Sequence, residues 1–282
     1  MKKIEKILVP VDFSECSANA FRYALQFADK YGAKILLQHI VSQDIALDYP
    51  ILVAQETTRL LKEARIELNK FVGETLLQVE MDKTLKNVPI IHSDILLGPP
   101  LALVVEKAAQ EDIDLILMGT QGEHNALDKL FGGMTTYVLK NAHCSVLVVP
   151  ENATATKILN IGYATDLTAA DPFYIWELGK LLSPFHAIFN VCHVHLAEEP
   201  THELDLQEIE KFFGGKSPAL QIKFCEDTAE TIEDGLNEFA EIYGIDLMVM
   251  LSPKRGFFAN LMHKSATRKL VFASKVPILV IR

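Results

Sequence analysis

Two stretches of this chain recur at constant offsets and without a gap. Residues 6–41 match residues 160–195, 154 places on, which sets Asp12 against Asp166 and His39 against His193. Residues 114–149 match residues 246–281, 132 places on, which sets Met118 against Met250, Thr135 against Thr267 and Val148 against Val280. Such a chain is two copies of one supersecondary arrangement, so any fold proposed for one copy must suit both. The 22 residues missing from the second copy must come out between the matched ends, where the first copy carries a longer polar stretch. Residues 151–156 are polar and small, which places the boundary there and gives domains 1–150 and 157–282. A chain of 282 residues is long enough for each half to bury a core of its own.

The first copy alternates strand and helix. Residues 6–11 and 34–41 are short apolar runs, and between them Ala20, Phe21, Ala24, Leu25, Phe27 and Ala28 recur at helical spacing until Gly32 stops the pattern. Strand, helix, strand at this length is a crossover unit and implies a parallel sheet. An amphipathic helix is expected over residues 57–75, a strand over 88–95, a helix over 101–110 and a strand over 113–117. A helix ending near Asn141 and a final strand over 145–149 complete five strands and four helices.

Composition narrows the function. A formal net charge of −10 would repel a polyanion, and no basic stripe with interleaved aromatics offsets it, so neither nucleic acid nor an anionic membrane is an expected partner. No apolar run is long enough to cross a membrane, and Glu5, Lys6, Pro10 and Asp12 interrupt what would be a signal-peptide core. The four cysteines form neither a Cys-x-x-Cys pair nor a dense framework, which suits small apolar residues in a reducing, cytoplasmic setting. No nucleophile elbow or triad is visible, so no catalytic residue is assigned. His193-x-His195 is a half-site for zinc at most, weighed against a structural histidine that repeats His39, and no metal ligand is assigned.

The chemistry concentrates where the fourth strand passes into its helix. Gly119, Gly122, Gly132 and Gly133 would let backbone approach a ligand and would leave N–H groups exposed at a positive helix end, an arrangement suited to phosphate. The spacing Gly119-x2-Gly122-x9-Gly132 resembles the nucleotide-binding pattern of the universal stress protein family. So do the opening Ile-Leu-Val-Pro-Val-Asp-Phe-Ser, the Gln-His-Ile-Val of the second strand, Asp114-Leu-Ile-Leu-Met-Gly119 and the closing Cys-Ser-Val-Leu-Val-Val-Pro. Both halves are similar to that family in its tandem two-domain form.

The resemblance implies an α/β fold: two tandem open five-stranded parallel sheets with helices on both faces, Rossmann-like, with ligands at the carboxyl ends of the strands. It implies a site for ATP, or for ADP or AMP, with Mg as an optional companion. Pro10, Val11 and Asp12 would lie near ribose and adenine, Ile40 would line the adenine pocket, and Met118, Gly119 and Gly122 would approach ribose and phosphate. Gly132, Gly133, Met134 and Thr135 would supply N–H groups and one hydroxyl to the phosphates. Asp12 has the alternative of a helix N-cap, Ile40 that of plain core, and Thr135 that of an ordinary first-turn residue.

Two departures are expected to weaken the site. Gly133 stands where the family has Ser or Thr, and Glu123 brings a carboxylate beside the phosphates. In the second copy the glycine positions become Leu251, Lys254, Lys264 and Ser265, so a nucleotide in the same pose would be obstructed. The expected function is a regulatory, non-catalytic stress protein that binds nucleotide in its first domain and changes a protein partner in response. The alternatives are a nucleotide-independent scaffold and a slow metal-dependent ATPase. The family also pairs its final strands across an interface, which here would join residues 146–149 to 278–281 within one chain, with a homodimer as a further expectation.

Overall fold

In the computed structural model the described residues are 1–42, 50–83, 85–120, 133–153, 157–196, 204–214, 221–251 and 276–282. The chain divides into two compact units, Ile4–Ala155 and a second made of Thr156–Arg282 with Met1–Lys3.

The first unit runs β1 (Lys6–Val11), α1 (Glu15–Tyr31), β2 (Lys34–Val41), α2 (Pro50–Met81), β3 (Ile91–Leu97), α3 (Pro100–Gln110), β4 (Leu115–Gly119), α4 (Gly133–Asn141) and β5 (Ser145–Val149). Its strands are ordered β3-β2-β1-β4-β5, all parallel. Parallel strands need covered faces. α1 packs on β1, β4 and β5 and against α2, while α3 lies against β2 and α4, and α4 against β5. The strands are accordingly apolar runs, with Ile7, Leu8, Val9, Leu115, Ile116 and Leu117 wholly buried.

The second unit runs β6 (Asn160–Ala164), α5 (Asp171–Leu182), β7 (Ile188–His195), α6 (Leu206–Phe213), β8 (Gln221–Thr228), α7 (Ile232–Ile242), β9 (Leu247–Leu251) and β10 (Ile278–Ile281). Its order, β8-β7-β6-β9-β10, is the same and again parallel. Each unit is thus the expected α/β sheet of five strands. The length difference falls where the offsets require it, since α2 spans 32 residues and α6 spans eight.

The two units also share small structural devices at the repeat offsets. Asp114 accepts from the backbone N–H groups of Glu5 and Lys6 at 2.8 and 3.0 Å, and Asp246 from those of Leu159 and Asn160 at 2.8 and 2.9 Å. Positive φ recurs at Phe13 (67°) and Leu167 (56°), at Gly32 (67°) and His186 (54°), and at Asp112 (52°) and Gly244 (55°). His39 Nδ1 lies 2.9 Å from the Val11 carbonyl, and His193 Nδ1 lies 2.9 Å from that of Thr165. That bond explains the repeated histidine as a tie between neighbouring strand ends. Among the described residues no helix is long and apolar enough to cross a membrane.

Some boundaries differ from expectation. α1 begins at Glu15 because the Ser14 side chain accepts from the Ser17 N–H, so Ser14 and not Asp12 is the N-cap. α2 begins at Pro50, well before residue 57, and β3 lies a little later than expected, at Ile91–Leu97.

Candidate functional site

The chain leaves β1 through α1 towards β2 on one side and returns through α3 to β4 on the other. Adjacent strands whose connections depart in opposite directions leave an open crevice at their carboxyl ends. The ladder between β1 and β4 holds at Ile7↔Leu115 and Leu8↔Ile116. Beyond it β1 stays with β2 as far as Val11↔His39, and β4 stays with β5 as far as Gly119↔Val149. The two strands therefore part beyond Leu8, and the expected site residues stand on the ends that diverge.

Strand alternation sorts those residues. Pro10, Ile40 and Met118 belong to the sheet face on which α3 and α4 pack, and Val11 and Gly119 to the face covered by α1. Pro10 and Ile40 are half-buried at the mouth, whereas Val11 and Met118 are buried. Asp12, just past β1, is half-buried, and its Oδ1 accepts from the Ser14 N–H at 3.2 Å and the Ser14 hydroxyl at 2.6 Å. Phe13, in its left-handed conformation, stacks on the His39 ring at 4.3 Å between centroids.

Two expected roles change. A Cβ at Gly119 would meet Cys16 Sγ at 2.5 Å and the Cys16 carbonyl oxygen at 3.1 Å, so the absence of a side chain there admits the first turn of α1. Gly119 is therefore a packing position on this face. The Thr135 hydroxyl, expected to reach phosphate, donates instead to the Gly119 carbonyl at 2.9 Å, and the residue is buried. That bond pins the N-terminal turn of α4 to the carboxyl end of β4. It holds the positive end of the helix, with exposed Gly133 and half-buried Met134, beside the crevice. Among the described residues a Cβ at Gly133 would meet nothing within 4 Å. Gly122, Glu123 and Gly132, and in the second copy Lys254, Lys264 and Ser265, lie outside the described residues.

Gln38, the first residue of the Gln-His-Ile-Val motif, has no role assigned from the sequence. It is wholly buried on β2 opposite Pro10, on the same face as Ile40, and neither atom of its amide has a hydrogen-bond partner among the described residues. The signal in the sequence is an amide set, beside His39, within the apolar residues of the second strand. An amide in that state costs about 1–3 kcal/mol. Gln38→Leu, close in volume, is expected to stabilise the ligand-free protein by about 1 kcal/mol in denaturant titration; a loss of stability would show that the amide is satisfied.

The second unit is closed at the matching place. Val194, the counterpart of Ile40, is buried, and a Cβ on Gly235 of α7 would lie 2.4 Å from Val194 Cγ1, so helix backbone sits directly on it. The β6/β9 ladder also continues one pair further, to Tyr163↔Val249. Tyr163 is buried, and its hydroxyl donates to Asp171 Oδ1 at 2.6 Å, while Asp171 Oδ2 accepts from the Thr168 N–H at 2.6 Å and the Thr168 hydroxyl at 2.9 Å. Burial, with the Asp171 carboxylate beside it, holds the Tyr163 phenol well above its ordinary pKa.

The sequence pattern that defines the Universal stress protein family matches residues 3–150, just over half of the chain. The protein belongs to the universal stress protein family. Two universal stress proteins of Methanocaldococcus jannaschii are similar to it. One is 31% identical over 145 residues, covering 51% of this chain and 81% of the relative. The other is 30% identical over 152 residues, covering 51% of this chain and 94% of the relative. The crystal structure of a universal stress protein from Archaeoglobus fulgidus superposes with a TM-score of 0.72 at 16% identity, covering 99% of this chain and 97% of that one. At that identity the likeness speaks for the fold, and it extends over both units of this universal stress protein.

Proposed function

We propose that this universal stress protein binds ATP, or ADP or AMP, with or without Mg, in the crevice of its first unit, as a cytoplasmic regulatory protein without catalytic turnover. The observation that carries the reading is the Thr135–Gly119 bond. It holds the N-terminus of α4 beside the place where β1 and β4 part, and free N–H groups at a positive helix end suit phosphate oxygens. Ile40 and Pro10, half-buried at the mouth, offer an apolar wall to a purine, and Asp12 offers a carboxylate to ribose hydroxyls. Nucleotide occupancy would then act on an unidentified protein partner or on self-association.

The open space at Gly133 gives a direct test. Gly133→Ser restores the hydroxyl of the family pattern without a clash. A hydrogen bond to a charged phosphate contributes about 1.5 kcal/mol, so calorimetric titration with MgATP should show roughly tenfold tighter binding. Unchanged affinity would put the phosphates elsewhere, and no binding by either protein would leave the scaffold reading.

A further inference from the structure

The second unit holds a pair of thiols that the nucleotide reading does not use. Cys192 on β7 and Cys225 on β8 are direct partners in the parallel ladder, so their side chains leave the same face of the sheet. Neighbouring strands lie about 4.8 Å apart, inside the Cα separation that a disulfide spans without backbone movement. Each thiol donates to a backbone carbonyl, Cys192 to that of His193 at 3.7 Å and Cys225 to that of Val191 at 3.3 Å, and Tyr243, just past the end of α7, is a neighbour that acts on Cys225. Cys192 is buried, while Cys225 is half-buried on β8, which is the edge strand of its unit's sheet. The fold does not demand sulfur here: in the first unit the same pair of positions is Gln38 opposite Asp94.

We propose that Cys192 and Cys225 form a redox-active dithiol that hydrogen peroxide or an organic hydroperoxide converts into a reversible intrachain disulfide. Cys225 is the attacking group, being the more accessible. The neighbouring Cys192 thiol, and to a smaller extent the Tyr243 hydroxyl, draw its pKa below the ordinary thiol value. The neighbouring Cys225 thiol and burial raise Cys192, so it keeps its proton and acts as the resolving thiol. The nearby Glu226 and Asp227 carboxylates raise that thiol further and favour an uncharged oxidant over an anionic one.

In the first step the Cys225 sulfur forms a bond to one peroxide oxygen as the O–O bond breaks. The departing oxygen takes a proton and leaves as water or alcohol, and Cys225 becomes a sulfenic acid. In the second step the Cys192 sulfur attacks Cys225, the S–S bond forms, and the sulfenic oxygen leaves as water with the proton of Cys192. Two thiols lose two electrons in total and one peroxide gains them.

The test uses the intact chain. After exposure to hydrogen peroxide and an acid quench, remaining thiols are alkylated in denaturant and the peptides are mapped without reduction. A Cys192–Cys225 linked peptide is expected, with Cys16 and Cys144 still alkylated and the link reversed by dithiothreitol. Cys192→Ser is expected to leave Cys225 over-oxidised, and Tyr243→Phe to slow loss of the Cys225 thiol several-fold. Four thiols that remain alkylatable in the native chain, or a link through Cys16 or Cys144, would overturn the proposal, and neither result depends on how a variant folds.

Discussion

Gly119→Ala should cost stability rather than nucleotide affinity. The added methyl would stand 2.5 Å from Cys16 Sγ and 3.1 and 3.2 Å from the Cys16 carbonyl oxygen and carbon. The thiol can rotate away, but the carbonyl belongs to the first turn of α1, which is held by the Ser14 cap and by burial on β4. Overpacking of this kind costs about 1–3 kcal/mol, and Gly119→Leu, which installs the residue type found at the matching position of the second copy, Leu251, should cost more. Adding Cys16→Ala removes the sulfur contact and not the carbonyl contact, so the double variant should regain part of the loss. Chemical denaturation reads all three. A Gly119→Ala protein as stable as the parent would mean that α1 does not press on β4.

Gly133→Asp should act the other way round. A side chain at Gly133 meets no atom of the described residues, and a carboxylate in the first turn of α4 is favourable to the helix by about 0.3–1 kcal/mol. The fold should therefore be as stable as the parent or slightly more so. The same carboxylate would face the phosphates. A unit charge about 6 Å away in a partly screened site opposes binding by about 2 kcal/mol, or roughly thirtyfold in affinity. Part of that loss should be recovered in molar salt. Equal affinity in the Gly133→Asp variant and the parent would remove the phosphates from the end of α4.

The contrast between these two glycines shows what the sequence could reveal. The repeat made the architecture legible: constant offsets fixed which strands correspond, and apolar runs with helical spacing between them required a parallel sheet. Gly119 and Gly133 looked alike because both stand at a strand-to-helix crossing. Only the approach of Cys16, near the start of the chain but packed on β4 through α1, separates a packing glycine from an open one. Thr135 was misread for the same reason, since its acceptor is a carbonyl 16 residues away. Asp12 and Ser14 are both good caps, and the left-handed turn at Phe13 decides between them. The Cys192–Cys225 pair was invisible because strand register, and not spacing along the chain, brings the two together.

The number of nucleotides bound per chain tests most directly whether the first crevice is open and the second closed. Native mass spectrometry of the intact protein titrated with MgATP should saturate at one nucleotide per chain, with half-occupancy reached at roughly thirtyfold higher MgATP in Gly133→Asp. Two per chain, none, or one whose half-occupancy that substitution leaves unmoved would contradict the account.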